Sequence, residues 1–209
     1  MSDNQLEMPF GKAGSHPATA EIAAIRDINL AFLQVLTHPA TRGLPHLLGL
    51  DGAILETLHR LDTDQLHKVA RCPLLLAEFS SIPGAIQPCG VAEPRQPVDS
   101  AGKQWGKEWQ SELNSFADRL LTCLWQAARH DTLLAAFCIG IDAAKCSELA
   151  HLSFTKISRC SDQAAGCLQA RLGSHPRFWA DLIRTARSGT RSQQTASRLA
   201  GIQLSILKH

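Results

Sequence analysis

Two stretches decide the fold: residues 21–38, EIAAIRDINLAFLQVLTH, and residues 49–79, GLDGAILETLHRLDTDQLHKVARCPLLLAEF. In the first, Ile22, Ile25, Ile28, Phe32 and Val35 recur every three to four residues, which lays one apolar stripe along a helix beginning at Glu21. Pro39 ends that helix. A short helix from Arg42 to Leu48 leads to Gly49-Leu50-Asp51, where glycine takes the left-handed position after a helix and Asp51 caps the next one, running to about Arg60. Asp62 then caps a helix from Thr63 to Arg71. Pro73 closes it, and the apolar run from Leu74 to Phe79 reads as a short strand.

Working outward, four prolines (83, 88, 94, 97) and three glycines (84, 90, 102) fall between Ser80 and Gln104 without apolar periodicity, the signature of a linker. Trp105 and Trp109 flank its end and are expected to dock it onto a domain. Helical patterning resumes near Ser111, through Leu113, Phe116, Leu120, Leu124 and Ala127. A shift of 91 residues aligns the two halves without a gap: Leu30 with Leu121, Leu33 with Leu124, Gly49 with Gly140, Asp51 with Asp142, Ala53 with Ala144, Leu58 with Leu149 and Leu61 with Leu152. Helical segments of similar period can align by chance, but a Gly-aliphatic-Asp turn in frame with four leucines favours duplication. The expected organisation is a leader over 1–19, a first unit over 20–79, a linker over 80–110, a second unit over 111–175 and a C-terminal helical segment over 176–209. The fold class is all-α.

Composition agrees with this reading and narrows the functions open to the chain. Aromatic residues make up 5% with no Tyr, so the apolar mass lies in Leu, Ala and Ile, which favours helix over sheet. The N-terminus has acids before any base and lacks an apolar core, which predicts a cytoplasmic chain. Its longest apolar runs fall far short of the roughly 20 residues needed to cross a bilayer, so no membrane partner is expected. The seven cysteines include no CxxC pair, and the spacing of His59, His67 and Cys72 suits zinc poorly. No GxSxG, HExxH, Walker or GxGxxG pattern occurs, so neither catalysis nor a cofactor is predicted.

The net charge of +2 hides a division: residues after Gln163 carry Arg171, Arg177, Arg184, Arg187, Arg191, Arg198 and Lys208 against Asp181 alone, a balance of +6, so the rest sums to −4. If the helix from about Pro176 continues through Gly189, Arg184, Arg187 and Arg191 share a face. Arginine forks suit phosphates and guanine edges, and the seven bases are candidate DNA contacts. On charge alone they read equally as a solvated face. Ser192 to Leu199, followed by Ile202 and Ile206, forms a last amphipathic helix. With the preceding helix it reads either as a helix-turn-helix or as a hairpin that seals the core, and Trp179 reads as core.

The first unit resembles the bacterial flagellar transcriptional regulator FlhD. The resemblance covers about residues 22–79 and rests on Asp27-Ile28-Asn29-Leu30 with Phe32, the Gly49-Leu50-Asp51 turn, Leu58 and Leu61, the run from Gln65 to Ala70, and the apolar stretch ending at Phe79. The second unit matches more thinly, through Gly140-Ile141-Asp142 and the run from Leu149 to Ile157. This implies a dimer-forming helical subunit of a transcription activator that acts on promoter DNA with an FlhC-like partner and RNA polymerase, on flagellar or conjugative-element genes. Family members are about half this length, so two units in one chain imply an internal pseudo-dimer, with Ile22, Ile25, Ile28 and Phe32 packed against Leu120 and Leu124. The family's bridging cysteine falls at Ala77, which puts that disulfide in doubt. An adaptor or anti-activator that touches no DNA is the alternative.

Overall fold

A computed structural model describes residues 17–81, 106–139 and 143–207, and within them nine α-helices and four short strands. The leader up to residue 16, most of the Pro/Gly linker, Trp105, the Gly140-Ile141-Asp142 turn and Lys208 lie outside the described residues. The chain is mainly α-helical, as its composition implies.

Helix α1 spans Pro17–Leu36 and so starts before Glu21; a proline in the first turn has no amide that a helix would use there. A 3-10 turn at Pro39–Thr41 follows. The helix expected over 42–48 does not form. Instead β1 (His46–Leu47) and β2 (Leu50–Asp51) make a two-residue hairpin whose corner, Leu48 and Gly49, has φ of 50° and 81°. Pro45 interrupts a helix, and two successive left-handed residues are what a tight hairpin requires. Asp51 caps α2 (Gly52–His59) by accepting from the Ala53 amide at 3.0 Å. Asp62 caps α3 (Thr63–Ala70) in a reciprocal box with Gln65. Strand β3 occupies Ala77–Phe79.

The second half runs through four helices to a strand. Helix α4 (Lys107–His130) begins before Ser111 because Trp109 is an anchor: fully buried, it donates from Nε1 to the Val35 carbonyl of α1 at 3.1 Å. Helices α5 (Thr132–Ile139), α6 (Ala143–His151) and α7 (Phe154–Cys167) then pack against α4. Ser153 caps α7, 91 residues after the Asp62 cap of α3. Strand β4, Leu168–Ala170, lies 91 residues after β3 and pairs with it antiparallel, with Glu78 opposite Gln169 at the centre. That pair relates positions equivalent under the offset, so the ribbon has a local two-fold axis. Gln169 Nε2 donates to Glu78 Oε1 across it at 2.9 Å.

One core runs through both halves. Phe32 stacks on Phe116 of α4 with ring centroids 5.4 Å apart, and Leu120 and Leu124 are buried beside them. Helix α8 (Phe178–Ser188) buries Phe178, Trp179, Leu182, Ile183 and Ala186 and covers α2 and α3. It ends at Ser188 and does not run through Gly189, because Thr190 and Gln193 form a new capping pair that starts α9 (Arg191–Leu207). In α9, Ile202 packs on the core while Leu199 is exposed, so the expected stripe is only partly used.

The polar centre of the first half is Asn29, fully buried on α1. Its amide donates to the carbonyls of Ala70, Cys72 and Leu74 at 3.3, 3.1 and 2.9 Å, and its oxygen accepts from the Leu76 amide at 2.8 Å. Asn29→Leu removes every one of these bonds while keeping the volume, and is expected to cost about 3 kcal/mol because buried backbone groups lose their partner. Asn29→Asp, an acceptor aimed at three carbonyls, should cost more at neutral pH. Urea unfolding of the two variants checks both the size and the order.

Candidate nucleic-acid interface

Helix α8 presents its apolar side inward through the spacing of Phe178, Trp179, Leu182, Ile183 and Ala186, so Arg184 and Arg187 must face out. Arg177, at the cap position of α8, and Arg191, the first residue of α9, are also exposed. Arg184 pairs with Asp181 at 2.6 Å, whereas Arg187 has no ion-pair partner among the described residues. The break at Gly189 places Arg191 on a different helix from Arg184 and Arg187, so the single-helix face expected for the three does not exist.

Arg184 and Arg187 stand over an open cavity of about 440 Å³ between α2, α3 and α8, with Ile54 and Ile183 on its apolar side and Thr57 and Gln65 supplying polar groups. Two guanidinium groups beside a hydroxyl and an amide can donate several hydrogen bonds to phosphate oxygens. Among the described residues no aromatic ring lines the cavity, so none of them would stack on a base there.

The remaining C-terminal bases have other fates. Arg171 is only 2% exposed and cannot meet DNA in this fold. It directly follows β4, where its amide donates to the Leu76 carbonyl and its carbonyl accepts from Trp179 Nε1, which turns the residue into the core. Arg198 is half-buried and donates to the Lys68 carbonyl at 3.3 Å. Burial lowers its pKa, the neighbouring Cys72 raises it, and the nearby Arg71 and Arg26 lower it further. Of the seven candidate DNA-binding bases, four therefore lie exposed around α8 and the start of α9. The predicted seam also reaches the core in part: Phe32, Leu120 and Leu124 are buried, Ile25 and Ile28 are half-buried, and the Ile22 side chain is outside the described residues.

Burial pushes the thiols of Cys72, Cys123, Cys146 and Cys160 upward, so they stay protonated and behave as small apolar groups. The His59, His67 and Cys72 set does not assemble: His59 Nε2 bonds the Thr41 hydroxyl at 2.9 Å, His67 is exposed and Cys72 is buried. No helix among the described residues is long and apolar enough to cross a membrane.

No family model matches the chain, and neither characterised proteins nor solved structures show a significant match to it.

The His59 pKa is lowered by burial first and by Arg42 second. Its folded form resists the proton that the unfolded chain takes up near pH 6.5, so stability is lost as pH falls below that value. His59→Gln keeps a polar partner for Thr41 and removes the titration. Between pH 7.5 and 5 the wild type is expected to lose more stability in urea than this variant does; equal losses would show that His59 contributes nothing to the pH dependence.

Proposed function

We propose that the protein is a DNA-binding transcriptional regulator of the FlhD kind, with two helical units in tandem forming a pseudo-dimer. It acts on promoter DNA as the activator subunit of a complex with an FlhC-like partner, and through that complex on RNA polymerase. Flagellar or conjugative-element genes are the targets this resemblance implies. The observation that carries the tandem reading is the ribbon of β3 and β4, whose central residues Glu78 and Gln169 are separated by the same 91 residues as the sequence repeat and as the Asp62 and Ser153 caps. The DNA reading is supported by Arg177, Arg184, Arg187 and Arg191, exposed together with Asp181 as the one acid of α8.

A second reading, a protein-interaction adaptor, draws support from the surface of the second half. Phe154 is 65% exposed beside Trp125, over which the Arg129 guanidinium sits at 5.0 Å. Exposed aromatic residues with arginine are typical of protein interfaces.

Gel retardation with and without the FlhC-like subunit, at two salt concentrations, separates the readings. Binding that needs the partner and weakens steeply with salt is expected. Replacing Arg184, Arg187 and Arg191 by Gln should flatten the logarithmic salt dependence by roughly 0.9 unit for each phosphate that is no longer neutralised. An unchanged slope would remove this face from the DNA interface, and complex formation without any retardation would select the adaptor.

A further inference from the structure

A second group of cations gathers where α1, α3 and α9 meet, and it includes residues from the half of the sequence that is acidic overall. Asn29 bonds the carbonyls of Ala70 and Cys72, on either side of Arg71, and so fixes the backbone of Arg71 against α1. Arg26 lies three residues before Asn29 on that helix, one turn away on the same side. From α9, Arg198 reaches the same place and bonds the carbonyl of Lys68, in the last turn of α3. Three cations from three elements, Arg26, Arg71 and Arg198, thus converge beside the Lys68 carbonyl. Among the described residues the ion pairs are Arg60 with Glu56 and Arg184 with Asp181, and none of these three takes part.

Like charges held together repel one another, and the pKa of Arg198, lowered first by burial, is lowered further by Arg71 and Arg26. The C-terminal end of α3 relieves the repulsion only in part, because a helix end carries about half a charge. A tetrahedral dianion suits the remainder. Its several oxygens accept from more than one guanidinium fork at once, whereas a single carboxylate would leave cations unmatched.

We propose that Arg26, Arg71 and Arg198 form a phosphate-binding site at the junction of α1, α3 and α9, distinct from the arginines of α8. Its natural occupant is a phosphate of the DNA backbone, an assignment that rests on the regulator reading; a small phosphate ligand offers the same chemistry.

The test uses the full-length protein and inorganic pyrophosphate, with thermal unfolding and calorimetric titration as readouts. Arg26→Gln/Arg71→Gln alters two exposed side chains and should leave the circular dichroism unchanged. It is expected to weaken pyrophosphate binding roughly tenfold, by removing two charge-assisted donors. Lys156→Gln/Arg159→Gln, two exposed cations of α7 outside both arginine groups and with the same loss of charge, should bind it as the wild type does. Equal weakening in both variants, or none in the first, overturns the site. A second arm measures the salt slope of DNA retardation by the complex. A slope flattened by about two units in Arg26→Gln/Arg71→Gln supports the DNA backbone as occupant. Loss of pyrophosphate binding with an unchanged DNA slope overturns that assignment and assigns the site to a small phosphate ligand. Absence of any DNA retardation by the wild type would remove the regulator reading while leaving the pyrophosphate result standing.

Discussion

The carboxamide of Asn29 shares two N–H groups among three buried carbonyls and accepts one backbone amide, so a single side chain satisfies four backbone groups of residues 70–76. That segment needs it. Helix α3 stops at Ala70, and Pro73 prevents any continuation, leaving a stretch of chain inside the core with no helix or sheet to take up its polar groups. With Leu76 held by Asn29, its own carbonyl is placed to accept from Arg171. Strand β3 follows immediately and pairs with β4. The union of the two halves through the ribbon is therefore set up by an amide on the first helix.

The equivalent position in the second half, 91 residues on, is Leu120, which is apolar and fully buried. The difference has a structural reason: α7 runs to Cys167 and passes directly into β4, so no irregular segment lies between helix and strand to be satisfied. On the ribbon axis Glu78 faces Gln169. Two glutamates there would oppose like charges across the strands, and an amide replaces that repulsion with a hydrogen bond. At the same offset, the exposed Phe154 stands against Thr63.

Much of the local structure was legible because its causes are local. The caps at Asp51 and Asp62, the stop at Pro39, the strand ending at Phe79 and the buried role of Trp179 each follow from residue type and near neighbours. The hairpin at residues 46–51 was not legible as such: its turn needs Leu48 in a left-handed conformation that leucine seldom adopts, and the tertiary setting imposes it. There the Leu48 carbonyl accepts from the Ala170 amide, and a Cβ on Gly173 would stand 2.6 Å from the Gly49 oxygen. Both approaches join residues more than a hundred positions apart. The inward turn of Arg171 has the same origin, since it depends on a strand pairing that no local pattern announces.

Charge shows the limit of linear reading most clearly. Along the chain the bases gather after Gln163, which suggests one basic face. In space that set divides into the buried Arg171, Arg198 folded onto α3, and the four exposed arginines of α8 and α9. The first half, acidic in sum, meanwhile contributes Arg26 and Arg71 to the group around Arg198. Among its acids, Asp51 and Asp62 are engaged with backbone amides and Glu56 with Arg60. A net charge summed along a segment counts such engaged carboxylates and buried cations equally with free ones. The field met by a polyanion is set instead by the cations that remain exposed and unpaired, and these come from both halves of the chain.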